Sequence, residues 1–141
     1  MYWHGINTSD AVESSHLRGV LWEADLDGSN YKVIGKGEGF FIGSMTIDFD
    51  SNIIYWLSAD GNKIESFDPF TRIKKPILSS QPKLKGLLAF NSRLYYGNIE
   101  KQPSQIITIF MNGTIPKDLA KENDIVMDIK ASHASLQKGR I

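Results

Sequence analysis

Two pairs of carboxylates have a spacing that general acid–base chemistry could use. Asp25 and Asp27 are two residues apart, and so are Asp48 and Asp50. Residues two apart on a β-strand point to the same face, so each pair could present two carboxylates to one substrate. Asp27, however, stands in the turn sequence Leu26-Asp27-Gly28, where such a side chain bonds its own backbone. We therefore favour a turn-forming role for Asp27 over catalysis.

The other reactive residues form no motif. His4, His16 and His133 fall in expected loops or beyond the last expected strand, and no metal-ligand spacing relates them. Cysteine is absent, which excludes disulfides, zinc-thiolate sites and thiol catalysis. The segment Gly35-Lys36-Gly37-Glu38-Gly39 lacks the spacing and the following helix of a phosphate-binding loop, and we interpret it as a connection between units. The sequence predicts no catalytic residue, no cofactor and no metal site.

Charge and hydropathy argue against two classes of partner. Lysine plus arginine total 16, as do aspartate plus glutamate, whereas a nucleic-acid-binding surface needs a basic excess. No window approaches the roughly eighteen apolar residues of a membrane span. We expect neither nucleic-acid binding nor direct membrane insertion, and we recognise no signal peptide ahead of Met1.

The elements that would position these residues come from a repeat of roughly forty residues, the length of a propeller blade. Each copy has an aromatic pair followed by a turn. The pairs are Tyr2-Trp3, Tyr55-Trp56 and Tyr95-Tyr96, and the turns are Leu26-Asp27-Gly28, Phe67-Asp68-Pro69 and Met111-Asn112-Gly113. Four short strands per repeat are the signature of β-propeller blades. The copies predict blade-like units at about 1–38, 39–80 and 81–121, with a closing strand at about 125–130.

Alternating apolar residues give the strands of the middle unit. They predict strands at 45–49, 53–57, 63–67 and 73–78, with Pro76 placing the last at an edge because proline cannot donate to the ladder. In the first unit the strand after Gly28 is expected at 31–34. No stretch of ten residues has a helical period. The predicted fold is all-β, with about three four-stranded blades.

Several segments resemble one known repeat. Residues 26–34, Met45-Thr46-Ile47-Asp48 with 52–56, and Asp128 to His133 with Gln137 are similar to the YWTD repeat, the class B repeat of the low-density-lipoprotein receptor family. No copy keeps the aspartate of that motif, so the chain resembles a divergent branch. The resemblance implies a structural role for Asp48 and a six-bladed, extracellular propeller. About three blades would then come from further sequence or from a second copy.

Two sequences, Asn7-Thr8-Ser9 and Asn112-Gly113-Thr114, are acceptors for N-glycosylation in a secreted protein. Asn112 is equally suited to a turn position with positive φ, so both interpretations stay open for it.

The aromatic pairs are interpreted mainly as packing between blades, since aromatic side chains dominate cores. Trp22 is less typical of its repeat position. We therefore interpret Trp22 as a candidate partner contact. His4 and His16 are further candidates, because a polar insertion between His4 and Leu17 could project as a loop.

The resemblance favours an extracellular, non-catalytic propeller segment of a cell-surface receptor. Its partners would be a protein ligand or neighbouring domains, in a receptor of the lipoprotein-receptor-related type or of the ROS/sevenless tyrosine kinase type. The alternative is a calcium-dependent, lactonase-like propeller hydrolase, whose inner strands would have to supply Thr46, Asp48 and Asp128.

Overall fold

The computed structural model describes residues 1–7, 18–79, 83–100, 104–114 and 117–122. Eleven strands lie in these ranges. They are β1 Tyr2–Asn7, β2 Arg18–Glu23, β3 Lys32–Gly37, β4 Ile42–Asp48, β5 Ile53–Ser58, β6 Ile64–Phe67, β7 Lys74–Leu78, β8 Leu84–Phe90, β9 Arg93–Asn98, β10 Ser104–Phe110 and β11 Lys117–Glu122. The one helical element of the described residues is a 3₁₀ turn at Glu38–Phe40.

The strands form three antiparallel sheets in chain order. The first sheet has the order β1-β2-β3, the second β4-β5-β6-β7 and the third β8-β9-β10-β11. This confirms the predicted all-β fold of blade-like sheets. The first sheet has three strands in the described part of the chain rather than four. The expected closing strand at 125–130 lies outside the described residues.

The second sheet buries both of its faces. Along β5, Ile54 and Trp56 face the first sheet, and Tyr55 and Leu57 face the third. Each face belongs to a separate apolar cluster, because successive side chains of a strand point to opposite sides. The outer strand of this sheet is β7, which carries Pro76 at the edge position that the sequence predicts.

The glycine-rich segment is not simply a connection, as the sequence interpretation has it. Strand β3 continues through Gly35 to Gly37 before the 3₁₀ turn begins. An added Cβ on Gly35 would lie 2.1 Å from Cε1 of Phe40. Glycine is therefore required there so that the Phe40 ring can lie against the strand and fill the space between the first two sheets.

Hydrogen bonds between sheets fix their order. The Arg72 guanidinium donates to the carbonyl oxygen of Ile34 at 3.0 Å, joining the second sheet to the first. The Ala89 N–H donates to Oγ1 of Thr46 at 3.1 Å, joining the third sheet to the second. The three sheets therefore stack successively, each packed on the one before it.

Candidate binding surfaces

Five turns lie at one end of the stacked sheets. Because the strands of each sheet alternate in direction, the β2–β3, β4–β5, β6–β7, β8–β9 and β10–β11 turns share this end. We call it the turn rim: residues 24–31, 49–52, 68–73, 91–92 and 111–114 with the adjoining strand ends. The β5–β6 turn, the 3₁₀ turn and the ends of β1 and β2 at Asn7 and Arg18 lie at the opposite end.

The turn rim holds the exposed apolar side chains. In the described part of the chain, the large hydrophobic residues that are clearly exposed lie in these turns or within two residues of them, except Met1, whose amino group donates a hydrogen bond to the Ala24 carbonyl oxygen of the β2–β3 turn. These are Met1, Leu26, Tyr31, Val33, Phe49, Phe70, Ile73 and Phe110. Leu26 is 91% exposed and Phe70 is 92% exposed. Large aromatic side chains within the sheets, such as Trp56 and Tyr96, are almost completely buried. The exposed apolar side chains are therefore concentrated at the rim.

The carboxylates of two turn residues, Asp27 and Asp68, hold the outer turns in shape. Asp27 accepts a hydrogen bond from the Ser29 N–H at 2.9 Å, and Asp68 accepts one from the Phe70 N–H at 2.9 Å. Hydrogen bonds from Ser29, first from its hydroxyl and then from its backbone, lower the pKa of Asp27 below its ordinary value. The backbone N–H of Phe70 lowers the pKa of Asp68 in the same way. The two carboxylates thus stay ionised and keep the turns folded.

A polar cluster joins the first two sheets beneath the rim. The Tyr2 hydroxyl donates to Oε1 of Glu23 at 3.3 Å. Burial raises the pKa of Tyr2, while a hydrogen bond with Asn52 and the positive charge of Arg72 oppose that rise. These four side chains come from four different strands or turns, so the cluster ties the start of β1 and the end of β2 to two turns of the second sheet.

The inner-strand groups that a hydrolase would need are used structurally. Asp48 accepts hydrogen bonds from both the backbone N–H and the hydroxyl of Ser51, which closes the β4–β5 turn. Thr46 accepts the inter-sheet bond from Ala89. Asp128 lies outside the described residues. Within the described ranges, no three histidine or acidic residues are grouped closely enough to hold a metal ion.

Of the residues expected at a partner contact, the two that the structure describes, Trp22 and His4, lie on opposite faces of the first sheet. Trp22 stacks on Trp3, with ring centroids 5.9 Å apart and planes at 12°. Both rings lie on the face of the first sheet that is turned away from the second sheet. His4 is half-buried on the other face, paired across the strands with Leu21, and burial lowers its pKa. His16, in the expected insertion, lies outside the described residues.

The two glycosylation sequences differ in how much of them is described. Asn7 ends β1, but the two residues after it lie outside the described ranges. Asn112 lies in the β10–β11 turn and accepts hydrogen bonds from the Thr114 N–H at 3.1 Å and hydroxyl at 2.8 Å. The positive φ of this turn, 83°, falls on Gly113 and not on Asn112, contrary to that sequence expectation. Glycine adopts a positive φ without a steric penalty because it has no Cβ, so Asn112 does not need to adopt it.

A cleft of about 440 Å³ opens between the second and third sheets at the end opposite the rim. Ser58, Asp60, Lys83 and Lys85 are among its lining residues. The Ser58 hydroxyl hydrogen bond lowers the pKa of Asp60, so the ionised carboxylate is committed to this turn. Sequence reasoning does not identify either the cleft or the rim, since both depend on which turns the sheets bring together.

Comparison with known proteins establishes the fold. No known family profile matches the sequence, and no curated protein matches it. A chain in the crystal structure of a nidogen/laminin complex superposes with a TM-score of 0.64 at 18% identity, over 77% of this chain and 42% of that one. The fold is that of β-propeller blades. This chain therefore spans less than half the length of the propeller-containing chain that it matches.

In the described residues, no helix has the length and apolar character needed to cross a bilayer.

Proposed function

We propose that this chain is a non-catalytic propeller segment that binds a protein ligand through the turn rim. The observation that carries the proposal is the segregation of the exposed apolar side chains to that end of the sheets. Large exposed apolar patches on soluble proteins mark interaction sites, and we propose that these side chains form one. Here they stand on turns that internal hydrogen bonds hold in shape, so binding would require little reordering of the surface.

The composition of the rim suits protein recognition. Phe49, Phe70 and Leu26 supply large apolar contacts, and burying each such side chain contributes about 1.5–3 kcal/mol. Three such contacts would supply roughly half or more of the 8 kcal/mol that corresponds to a micromolar complex. The nearby Glu23 and Arg72 provide polar groups of the kind that surround apolar anchors in interfaces.

The engaged inner-strand groups support the non-catalytic part of the proposal. Asp48 and Thr46 already accept hydrogen bonds that close a turn and join two sheets. A general acid or base needs a free position towards substrate and a pKa suited to the task. The hydrogen bonds that these groups already accept give both of them a structural role, which supports the non-catalytic proposal.

We propose an extracellular setting as part of a cell-surface receptor. The resemblance of residues 26–34 and 52–56 to YWTD repeats supports it, as do the two glycosylation sequences. The similar solved chain belongs to a complex of two proteins, nidogen and laminin. A receptor of the lipoprotein-receptor-related type and one of the ROS/sevenless kinase type both fit, and a cysteine-rich or a fibronectin neighbouring domain would distinguish them.

A binding screen with matched variants tests the role of the rim. The chain, presented as a dimeric fusion for avidity, is probed against an array of purified extracellular proteins. Any ligand found is then measured with the double variant Phe49→Ser, Phe70→Ser and with Lys83→Ser, Lys85→Ser as control, because both lysines are exposed at the opposite end. We expect the phenylalanine variant to lose at least about tenfold in affinity, which corresponds to about 1.4 kcal/mol. Unchanged affinity in that variant, with loss in the lysine variant, would place the ligand site at the cleft instead.

A further inference from the structure

The two residues of each aromatic pair follow one rule: the first points to the side of the following sheet, and the second points to the side of the preceding sheet. In β5, Tyr55 faces the following sheet and Trp56 faces the preceding one. In β9, Tyr96 belongs to the cluster shared with the preceding second sheet, so Tyr95 points the other way. In β1, Tyr2 packs against the cluster shared with the following second sheet, so Trp3 points away from it.

The rule identifies a docking face on the first sheet. Trp3 occupies the repeat position of Trp56, which is fully buried between two sheets. Cross-strand pairing places Trp22 and Val33 on the same face as Trp3. Both tryptophans are only partly buried and Val33 is 49% exposed. We call this the tryptophan face. No sheet of the described residues packs on it.

The rule identifies the complementary face on the third sheet. Tyr95 occupies the repeat position of Tyr55, which is 6% exposed because the third sheet covers it. Leu88 pairs with Tyr95 across the strands, and Ile106 lies on the same side of the sheet. All three side chains are only partly buried. We call this the tyrosine face. It is the kind of face that the second sheet presents to the third.

We propose that two copies of this chain associate head to tail, with the tyrosine face of each copy packed on the tryptophan face of the other. The chain's own interior supplies the template, since the tyrosine-type face of each sheet already packs on the tryptophan-type face of the next. Within the described residues, each copy has one face of each type on which no sheet packs, so the contact joins unlike surfaces and can close into a ring.

The number of sheets favours two copies. Propellers have roughly four to eight blades. Two sets of the three sheets that the described residues form give a blade number within that range, whereas one or three sets do not. The balance of 16 basic and 16 acidic residues means that no net charge opposes association. The other candidate occupants, residues 123–141 of the same chain or blades from further sequence, are distinguished by the experiment.

Two charge-introducing variants test the arrangement by sedimentation. The parent chain of 15.8 kDa should sediment at twice that mass at micromolar concentration. Trp22→Lys on the tryptophan face and Tyr95→Glu on the tyrosine face should each sediment as monomers, with the strand signal in circular dichroism retained. Phe70→Glu, a matched aromatic-to-acid change on the turn rim, should remain a dimer.

Mixing the two monomeric variants gives the decisive result. Each mixed pair contains one unaltered interface, formed by the tyrosine face of Trp22→Lys and the tryptophan face of Tyr95→Glu. We expect an equimolar mixture to form dimers although neither variant does so alone. A monomeric parent would overturn the proposal and indicate that residues 123–141 or other sequence covers these faces. A dimer that survives either substitution, or variants that fail to combine, would overturn the head-to-tail arrangement.

Discussion

Tyr55 and Trp56 are adjacent in β5, yet their rings are buried in different inter-sheet clusters. Trp56 is fully buried between the first and second sheets. The centroid of its ring lies 5.5 Å from that of Phe40 and 5.8 Å from that of Phe67. Tyr55 is buried between the second and third sheets, where burial first and the charge of Asp48 second raise its pKa. One dipeptide thus contributes to both inter-sheet clusters.

Trp56→Ala should lower the free energy of unfolding by about 3–5 kcal/mol, the usual cost of emptying an aromatic core site. The vacated space would adjoin Phe40 and Phe67, which cannot fill it without leaving their own contacts. Urea or thermal unfolding measures the change. Phe70→Ala is the control, because Phe70 is 92% exposed and should change stability by no more than about 0.5 kcal/mol. Equal effects of the two substitutions would contradict the burial of Trp56 between the first two sheets.

Alanine substitutions at two turn glycines should distinguish the cost of backbone strain from the cost of a steric clash. Gly28 and Gly113 have φ values of 84° and 83°. An added Cβ on Gly28 meets nothing within 4 Å, whereas on Gly113 it lies 2.6 Å from the Ile77 carbonyl oxygen. Gly28→Ala should cost about 1–2 kcal/mol from strain alone. Gly113→Ala should cost about 1–3 kcal/mol more, because the β10–β11 turn must move off β7.

Unfolding curves of both alanine variants in one buffer make that comparison. If the two substitutions cost the same, the third sheet does not pack its outer turn on the outer strand of the second.

His4 should make stability depend on pH on the acid side of neutrality. Burial lowers the pKa of His4 below its ordinary value of 6.5. The unfolded chain therefore binds the proton at a higher pH than the folded chain does. The free energy of unfolding then falls as the pH drops from about 6.5 through the folded-state pKa.

His4→Gln removes this contribution while keeping a polar side chain of similar size. Unfolding in urea at several pH values between about 7.5 and 5 should show a smaller acid-side loss of stability in the variant than in the parent. Subtracting the two curves removes the titration of all other groups. Parallel curves would show that the imidazole titrates alike in both states.

Asn112 should carry a glycan when the chain passes through a secretory pathway. Its position in a turn at the rim, with Thr114 bonded to its side-chain oxygen, places both residues of the acceptor sequence at the surface. Secreted protein should lose mass on treatment with an N-glycosidase, and Asn112→Gln should lose less. Asn7→Gln reports on the other acceptor sequence. An unchanged mass in the parent would count against the extracellular setting.

Local pattern predicts the strands better than their ends. The alternation from Met45 to Phe49 predicts β4, but the structure begins that strand at Ile42, before a bulge between Ile42 and Ser44 that breaks the period of two. Strand β3 similarly runs to Gly37 rather than ending at Ile34. Its last residues are specified by the ring of Phe40, a contact that no local pattern contains.

The sequence by itself determines the repeat, the strands and the opposite orientations of each aromatic pair, because these follow from spacing along a single chain. It does not determine which surface is exposed to a partner. Leu26, Phe49 and Phe70 come from separate turns and lie in sequence patterns that could equally be buried. Only the stacking of the sheets places those turns at one end and leaves their apolar side chains uncovered, because that outcome depends on contacts between residues far apart in the chain.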